Sequence, residues 1–319
     1  MNAPTPVTLP TRPATRTMLL SSGFSPQMIR TQVASGRLIR LRRGVFVAAS
    51  AWPDDQRQRH IMTAWAEQTM YESAVMSHQT AAEVWRLPHP GFDEWFASDP
   101  TVTVPADSGL KARAAGVVHR LAALPAHHVT QDEAGYAVTT VARTAIDLAV
   151  GLALPQALVV LDAAARLLVG SMVVQARRQE FANPRLAAAA REAMSEASQV
   201  RRSAALPSRI AFADPRRESA AESLSAGYFE LAGLPRPLLQ HPIRTRIGVL
   251  FPDFYWPEQR LIGECDGALK YGDRAALVGE KVREDVLREL GNGVVRWLGR
   301  EIMLAPDEVV ERVDRGLNR

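Results

Sequence analysis

From about residue 216 to residue 298 the chain reads as helix, strand, strand, strand, helix, strand, and no other feature constrains its fold so tightly. RRESAAESLSAGYFELAGLP (216–235) has helical apolar spacing and is closed by Gly233 and Pro235. RIGVLFPDFYWP (246–257) holds two short strand pieces and places Asp253 directly after Pro252. RLIGECDGALKYG (260–272) opens as a strand and ends at Gly267. EKVREDVLREL (280–290) is an amphipathic helix with Val282, Val286, Leu287 and Leu290 on its buried side, and VVRWL (294–298) returns as a strand after Gly291-Asn292-Gly293. The C-terminal third is therefore expected to be an α/β core.

Acidic residues fall at defined places in this order. Glu218 and Glu222 are four apart and share a helix face. Glu264 and Asp266 alternate onto one strand face. Each has an ordinary structural reading: a solvated helix face, a turn aspartate, surface ion pairs with Arg, a Lys281–Asp285 pair at helical spacing. Carboxylate oxygen is the donor that a hard divalent cation such as Mg²⁺ (or Mn²⁺) prefers, often from only one or two side chains.

The opposite end of the chain is basic. Residues 1–50 carry seven Arg and no Asp or Glu, leaving 31 basic and 34 acidic residues elsewhere. Such a patch suits a polyanion, because each phosphate contact releases counterions. Within 17–54, Ser25 is a helix N-cap with Pro26 at the first helical position, Met28, Ile29 and Val33 form an apolar stripe, and Gly36 closes the helix. Gln27, Arg30, Thr31 and Gln32 lie off the stripe. LIRLR (38–42) and VFV (45–47) form a hairpin around Arg43-Gly44, so that Arg40, Arg42 and Arg43 decorate a wing and, with Arg37, face DNA.

Residues 1–16, rich in Pro, Thr and Ala, read as a disordered tail, and 55–200 as a mixed α/β middle domain with a linker helix before a last domain at 206–319. The scattered histidines of the middle region form no catalytic set. A single cysteine, Cys265, excludes an internal disulfide and fits a reducing cytoplasm. No apolar run is long enough to span a bilayer, so no membrane partner is expected.

GFSPQMIRTQVASGRLIRLRRGVFV resembles the N-terminal winged helix of AbiEi-type antitoxins from type IV toxin–antitoxin systems, over about 35 residues. That resemblance implies DNA binding and a cognate toxin or defence-system component as partner. The motifs around Glu222-Ser223, PDFYWPEQRLIGECDG (252–267), KYG (270–272), EKVRED (280–285) and VVRW (294–297) resemble the PD-(D/E)XK nuclease superfamily, closest to the very-short-patch-repair-endonuclease-like domains of actinobacterial-type proteins. This implies a metal-dependent DNA endonuclease. Asp253 and Glu264 would be direct ligands, with the Cys265 carbonyl as a third, and Glu222 would bind directly or through water. Asp266 would add charge, Lys270 or Lys281 would orient the attacking water, and Arg283 would meet a phosphate. The pattern departs at one point: the superfamily has Lys two residues after the second acid, and Asp266 stands there. The alternative is an antitoxin-like transcriptional regulator whose nuclease-like domain is catalytically degenerate.

Overall fold

The computed structural model describes residues 7–114, 116–173, 181, 183–201, 203–267 and 274–318. The chain divides into two compact units, one from residues 1–86 and 93–144 and the other from 87–92 and 145–319.

The first unit opens with β1 (Ala14–Thr15), α1 (Arg16–Ser21), α2 (Pro26–Ala34), β2 (Leu38–Arg42) and β3 (Val45–Ala48). Ser25 caps α2, its hydroxyl accepting from Met28 N at 3.1 Å. Leu19, Phe24, Ile29, Leu38 and Phe46 form a small core. Met28, expected on the apolar stripe, is exposed; Ile29 and Val33 suffice to seat so short a helix. The three strands pair in the order β1-β3-β2, with Gly44 at φ +83° turning the hairpin. A tail of 1–16 does not persist over its last residues. Ala14 pairs with Phe46, Pro10 O accepts from Ala48 N at 2.8 Å, and Val7 and Leu9 pack on the core. The β3 edge supplies partners that the tail's composition does not disclose.

The same unit continues with α3 (Gln56–Met70), β4 (Val75–Met76), α4 (His78–Trp85), β5 (Thr101–Val104), β6 (Arg113–Ala114), β7 (Val117–Leu121), β8 (Val129–Gln131) and β9 (Ala137–Thr139). These strands form a mixed sheet in the order β6-β7-β5-β4-β9-β8, around Met76, Val102, Val104, Val117 and Val138.

α5 (Val141–Ala149) spans the sequence boundary between the units. The second unit holds α6 (Leu154–Gly170), α7 (Pro184–Ser198), α8 (Leu206–Phe212), α9 (Ala220–Leu231), β10 (Leu238–Leu239), β11 (Ile243–Thr245), β12 (Gly248–Leu250), β13 (Phe254–Trp256), β14 (Leu261–Asp266), α10 (Arg274–Glu289), β15 (Gly293–Leu298), α11 (Gly299–Leu304) and α12 (Pro306–Leu317). The expected middle domain is thus divided. Its strands and first helices join the N-terminal unit, while α6 and α7 join the C-terminal one. α6 is apolar around most of its circumference and is covered by α7, α8 and α9. Its approach to α9 is close: a Cβ on Gly227 would lie 2.4 Å from Pro155 Cα. Buried Asp162 on α6 is held by Arg217 at 2.6 Å and by the Asp214 amide at 2.8 Å.

The main sheet of this unit runs β10-β13-β14-β15, with β10/β13 and β13/β14 antiparallel and β14/β15 parallel through α10. Phe229, Phe254, Trp256 and Trp297 stack beneath it, with ring centroids 5.5–6.2 Å apart. Gly263 leaves room for this cluster; a Cβ there would lie 2.9 Å from Trp297. Val286 and Leu287 of α10 are buried, whereas Val282 and Leu290, expected beside them, are exposed.

Candidate functional site: an acidic cleft and a basic winged helix

The aromatic core fixes the faces of β13 and β14. Leu261, Gly263 and Cys265 turn toward the rings, so Glu264 and Asp266 point the other way. A cleft of about 400 Å³ opens there, lined by Glu222, Asp253, Glu264, Cys265, Asp266, Arg283, Glu284 and Arg296 among others.

Asp253 sits at the entry to β13. Its Oδ2 accepts from Cys265 N at 2.9 Å, and its Oδ1 accepts from Gln240 Nε2 at 3.2 Å. Gln240 was not foreseen. It is 4% exposed, adopts φ +50°, and its Oε1 is buried with no hydrogen-bond partner among the described residues. A glutamine among turn-forming residues gives no sequence signal; only its contact with Asp253 singles it out.

Glu222 lies at the third position of α9 and is buried. Its Oε1 accepts from Ser219 Oγ at 2.8 Å and its Oε2 from Glu218 N at 2.9 Å, while Ser219 Oγ accepts from Glu222 N at 3.1 Å. This reciprocal capping occupies the carboxylate. Burial, then the charge of Asp253, raise its pKa to about 7. Glu264 is raised to about 8 by the same two causes, opposed by Arg283 and Arg296. Burial and the neighbouring acids also push the Cys265 thiol up, so it stays protonated.

Glu222, Asp253 and Glu264, the carboxylates expected from the sequence to serve a metal, line one cleft. Among the described residues no three His, Cys, Asp or Glu side chains stand where they could hold an ion together. Glu222, like Asp253, carries a hydrogen bond on each carboxylate oxygen. Asp253 and Glu264 are two hard oxygen donors, and their chemistry suits a divalent cation that keeps most of its water. Asp266 is clamped by Arg296 at 2.7 and 2.8 Å, so it neutralises an arginine instead of adding free charge. Arg283 lines the cleft. Lys281 is exposed on α10 and is not among the lining residues. Lys270 lies outside the described residues.

In the first unit, Gln27, Arg30 and Thr31 are exposed on α2, and Arg37, Arg40 and Arg43 are exposed at and around the hairpin. Gln27 Oε1 accepts from Arg30 Nη2 at 2.5 Å. Arg42 departs from the expectation. Its side chain is 11% exposed and turns inward to pair with fully buried Glu67, over the ring of Tyr71 at 5.1 Å. Glu67 also takes His119 Nε2 at 2.7 Å. The cause is a register irregularity in β2 between Arg40 and Arg42, which redirects the second arginine.

Residues 12–49 match a family model described as "Transcriptional regulator, AbiEi antitoxin". Among the described residues no helix is long and apolar enough to cross a membrane. Over 297 residues, 92% of this chain and 97% of the relative, the sequence is 30% identical to "Uncharacterized protein Rv2248" of Mycobacterium tuberculosis (strain ATCC 25618 / H37Rv). The same figures hold for "Uncharacterized protein MT2308" of strain CDC 1551 / Oshkosh. The chain belongs to the family of these two mycobacterial proteins, with an AbiEi antitoxin-type domain at its N-terminus.

Proposed function

We propose that the protein is a DNA-binding regulator that docks α2 in a groove and rests its β2–β3 wing on the phosphate backbone. The observation that carries this reading is the exposed basic set Arg30, Arg37, Arg40 and Arg43 on a domain of antitoxin-regulator type. The test is footprinting of the full chain on the DNA upstream of its own gene, with scrambled duplex as competitor. Sequence-selective protection lost in Arg40→Ala and Arg43→Ala supports the reading. Equal affinity for both duplexes removes the regulator role. A cognate toxin, the other partner suggested by the antitoxin-type domain, would be sought by co-purification from cells expressing both proteins.

A second reading is favoured by a separate observation: Asp253, at the entry to β13, and Glu264, on the neighbouring antiparallel strand β14, face a shared cleft. This supports a PD-(D/E)XK-type site cleaving DNA phosphodiester bonds. Asp253 and Glu264 would hold Mg²⁺ or Mn²⁺, which when bound supplies charge neutralisation and an activated water. The protein's own part is positioning. The Cys265 amide and Gln240 fix Asp253, and Arg283, which lines the same cleft and whose charge acts on Glu264, would meet a phosphate. No lysine lines the cleft among the described residues. Incubation with supercoiled plasmid, with Mg²⁺, with Mn²⁺ and with chelator, beside Asp253→Ala and Glu264→Ala, decides the matter. Metal-dependent nicking lost in both variants establishes the nuclease. Intact DNA binding without nicking by the wild type leaves a regulator with a degenerate domain.

A further inference from the structure

A second cavity of the C-terminal unit, about 590 Å³, is lined by Arg260, Arg288, Arg296, Arg312 and Arg315 and, among the described residues, by no acidic one. It follows β15, the last strand of the main sheet. Two of its arginines seal that strand: Arg312 Nη1 donates to Arg296 O at 2.8 Å and Arg288 Nη2 to Val294 O at 3.4 Å. Carboxylates outside the cavity hold three of the guanidinium groups in place, and a fourth stands near one. Arg288 takes Glu284, Arg296 takes Asp266, Arg312 takes Glu301, and Arg315 reaches Glu311 at 4.0 Å.

Arg260 differs from these. It stands in a left-handed turn conformation at φ +48°, which is rare for a residue with a Cβ, and makes no ion pair among the described residues. Its guanidinium lies over the Gly291 turn, where a Cβ would come within 3.4 Å of Nη1. Backbone strain and a glycine turn thus present an uncompensated cation in the cavity wall.

We propose that this arginine groove binds the phosphodiester backbone of DNA, as a contact surface separate from the winged helix. Guanidinium groups fixed by outlying carboxylates meet phosphate oxygens with little ordering cost. Val294 and Arg296 line both this groove and the acidic cleft, so a strand lying in the groove continues toward Asp253 and Glu264. The groove requires neither cleavage nor the wing.

The test measures binding of the full chain to a short labelled DNA duplex of random sequence across a potassium chloride series in chelator. Arg260→Gln with Arg315→Gln removes two exposed charges outside the sheet's core. The expected result is weaker binding and a salt dependence shallower by about two in log–log slope, at roughly 0.9 per phosphate contact. An unchanged circular dichroism spectrum and unfolding midpoint establish that the variant is folded. A variant lacking Arg37, Arg40 and Arg43 should retain residual binding that the two groove substitutions then abolish. An unchanged slope in the groove variant, or complete loss of binding in the wing variant with the groove intact, overturns the proposal. No binding by the wild type overturns both this proposal and the regulator reading.

Discussion

Arg42→Ala separates a structural arginine from a DNA-contacting one. The Arg42 guanidinium is spent on the fully buried Glu67 carboxylate and on the face of Tyr71. Deleting it leaves Glu67 with His119 as its remaining ionisable partner. Breaking a buried pair from one side costs about 3–5 kcal/mol, and loss of the cation–π contact adds about 0.5–1 kcal/mol. The hydrogen bond that Glu67 keeps with His119 offsets part of the loss, so we expect about 3 kcal/mol. At a few degrees per kcal/mol, that lowers the unfolding midpoint of the first unit by about 10 °C. Arg43→Ala, at the exposed hairpin turn, should leave the midpoint within about 2 °C and instead reduce the salt slope of DNA binding by about one. Thermal melts and DNA titrations of the two variants, both well below the melting range, give the comparison. Adding Glu67→Gln to Arg42→Ala should restore part of the lost stability, since no buried charge is then abandoned. An Arg42→Ala protein that melts like the wild type yet binds DNA more weakly would refute the inward assignment and return Arg42 to the DNA surface.

Three further outcomes follow from the same reasoning. Burial lowers the His60 pKa to about 4, with hydrogen bonds to the Phe96 and Ser98 backbone opposing, so the unfolded chain binds the proton more readily; stability is intact above about 6.5 and falls by about 3 kcal/mol as pH drops toward 4, and His60→Gln should flatten that slope in pH-dependent melts. Glu222 and Glu264 are shifted the other way, to about 7 and about 8, so in chelator the second unit should lose stability as pH rises from about 5 to 8, and the loss should be smaller in Glu264→Gln; a midpoint that rises over this range would contradict it. Gly227→Ala drives a methyl into Pro155 where α6 meets α9 and should cost about 3 kcal/mol or more, read as a lower denaturation midpoint with an unchanged m-value.

What the sequence disclosed was local. The Ser25-Pro26 helix start, the Arg43-Gly44 turn and the helix–strand order after residue 216 are written in capping, turn and periodicity signals within a few residues of one another, and the structure has them, with two short strands, β10 and β11, added before the three expected. The same holds for Glu264 and Asp266 sharing a face, which strand alternation dictates. What the sequence concealed was pairing at long range. Arg42 looks like its neighbours Arg40 and Arg43, and only a register irregularity and a glutamate 25 residues away turn it inward. Asp266 looks free until Arg296, 30 residues on, clamps it. Gln240 carries no pattern at all, yet its amide holds Asp253.

The division of the middle region has the same origin. α6 reads as one apolar helix among several, and nothing in 154–170 says which neighbours will cover it. The deciding residues are elsewhere: Gly227 lets α9 approach Pro155, and Arg217 supplies the charge that Asp162 needs in order to be buried. Both lie in the segment that also carries Glu222 on the cleft wall. The helix thus belongs to the C-terminal unit because that unit neutralises its buried acid, and a break in the Asp162–Arg217 pair would act on the helix that presents Glu222. Arg217→Met should therefore destabilise the unit and also shift the pH at which Glu222 titrates, because Arg217 is one of the charges that Glu222 senses. Loss of stability with an unmoved Glu222 titration, followed by the side-chain carboxyl signal, would show that the pair braces the helices without reaching the cleft.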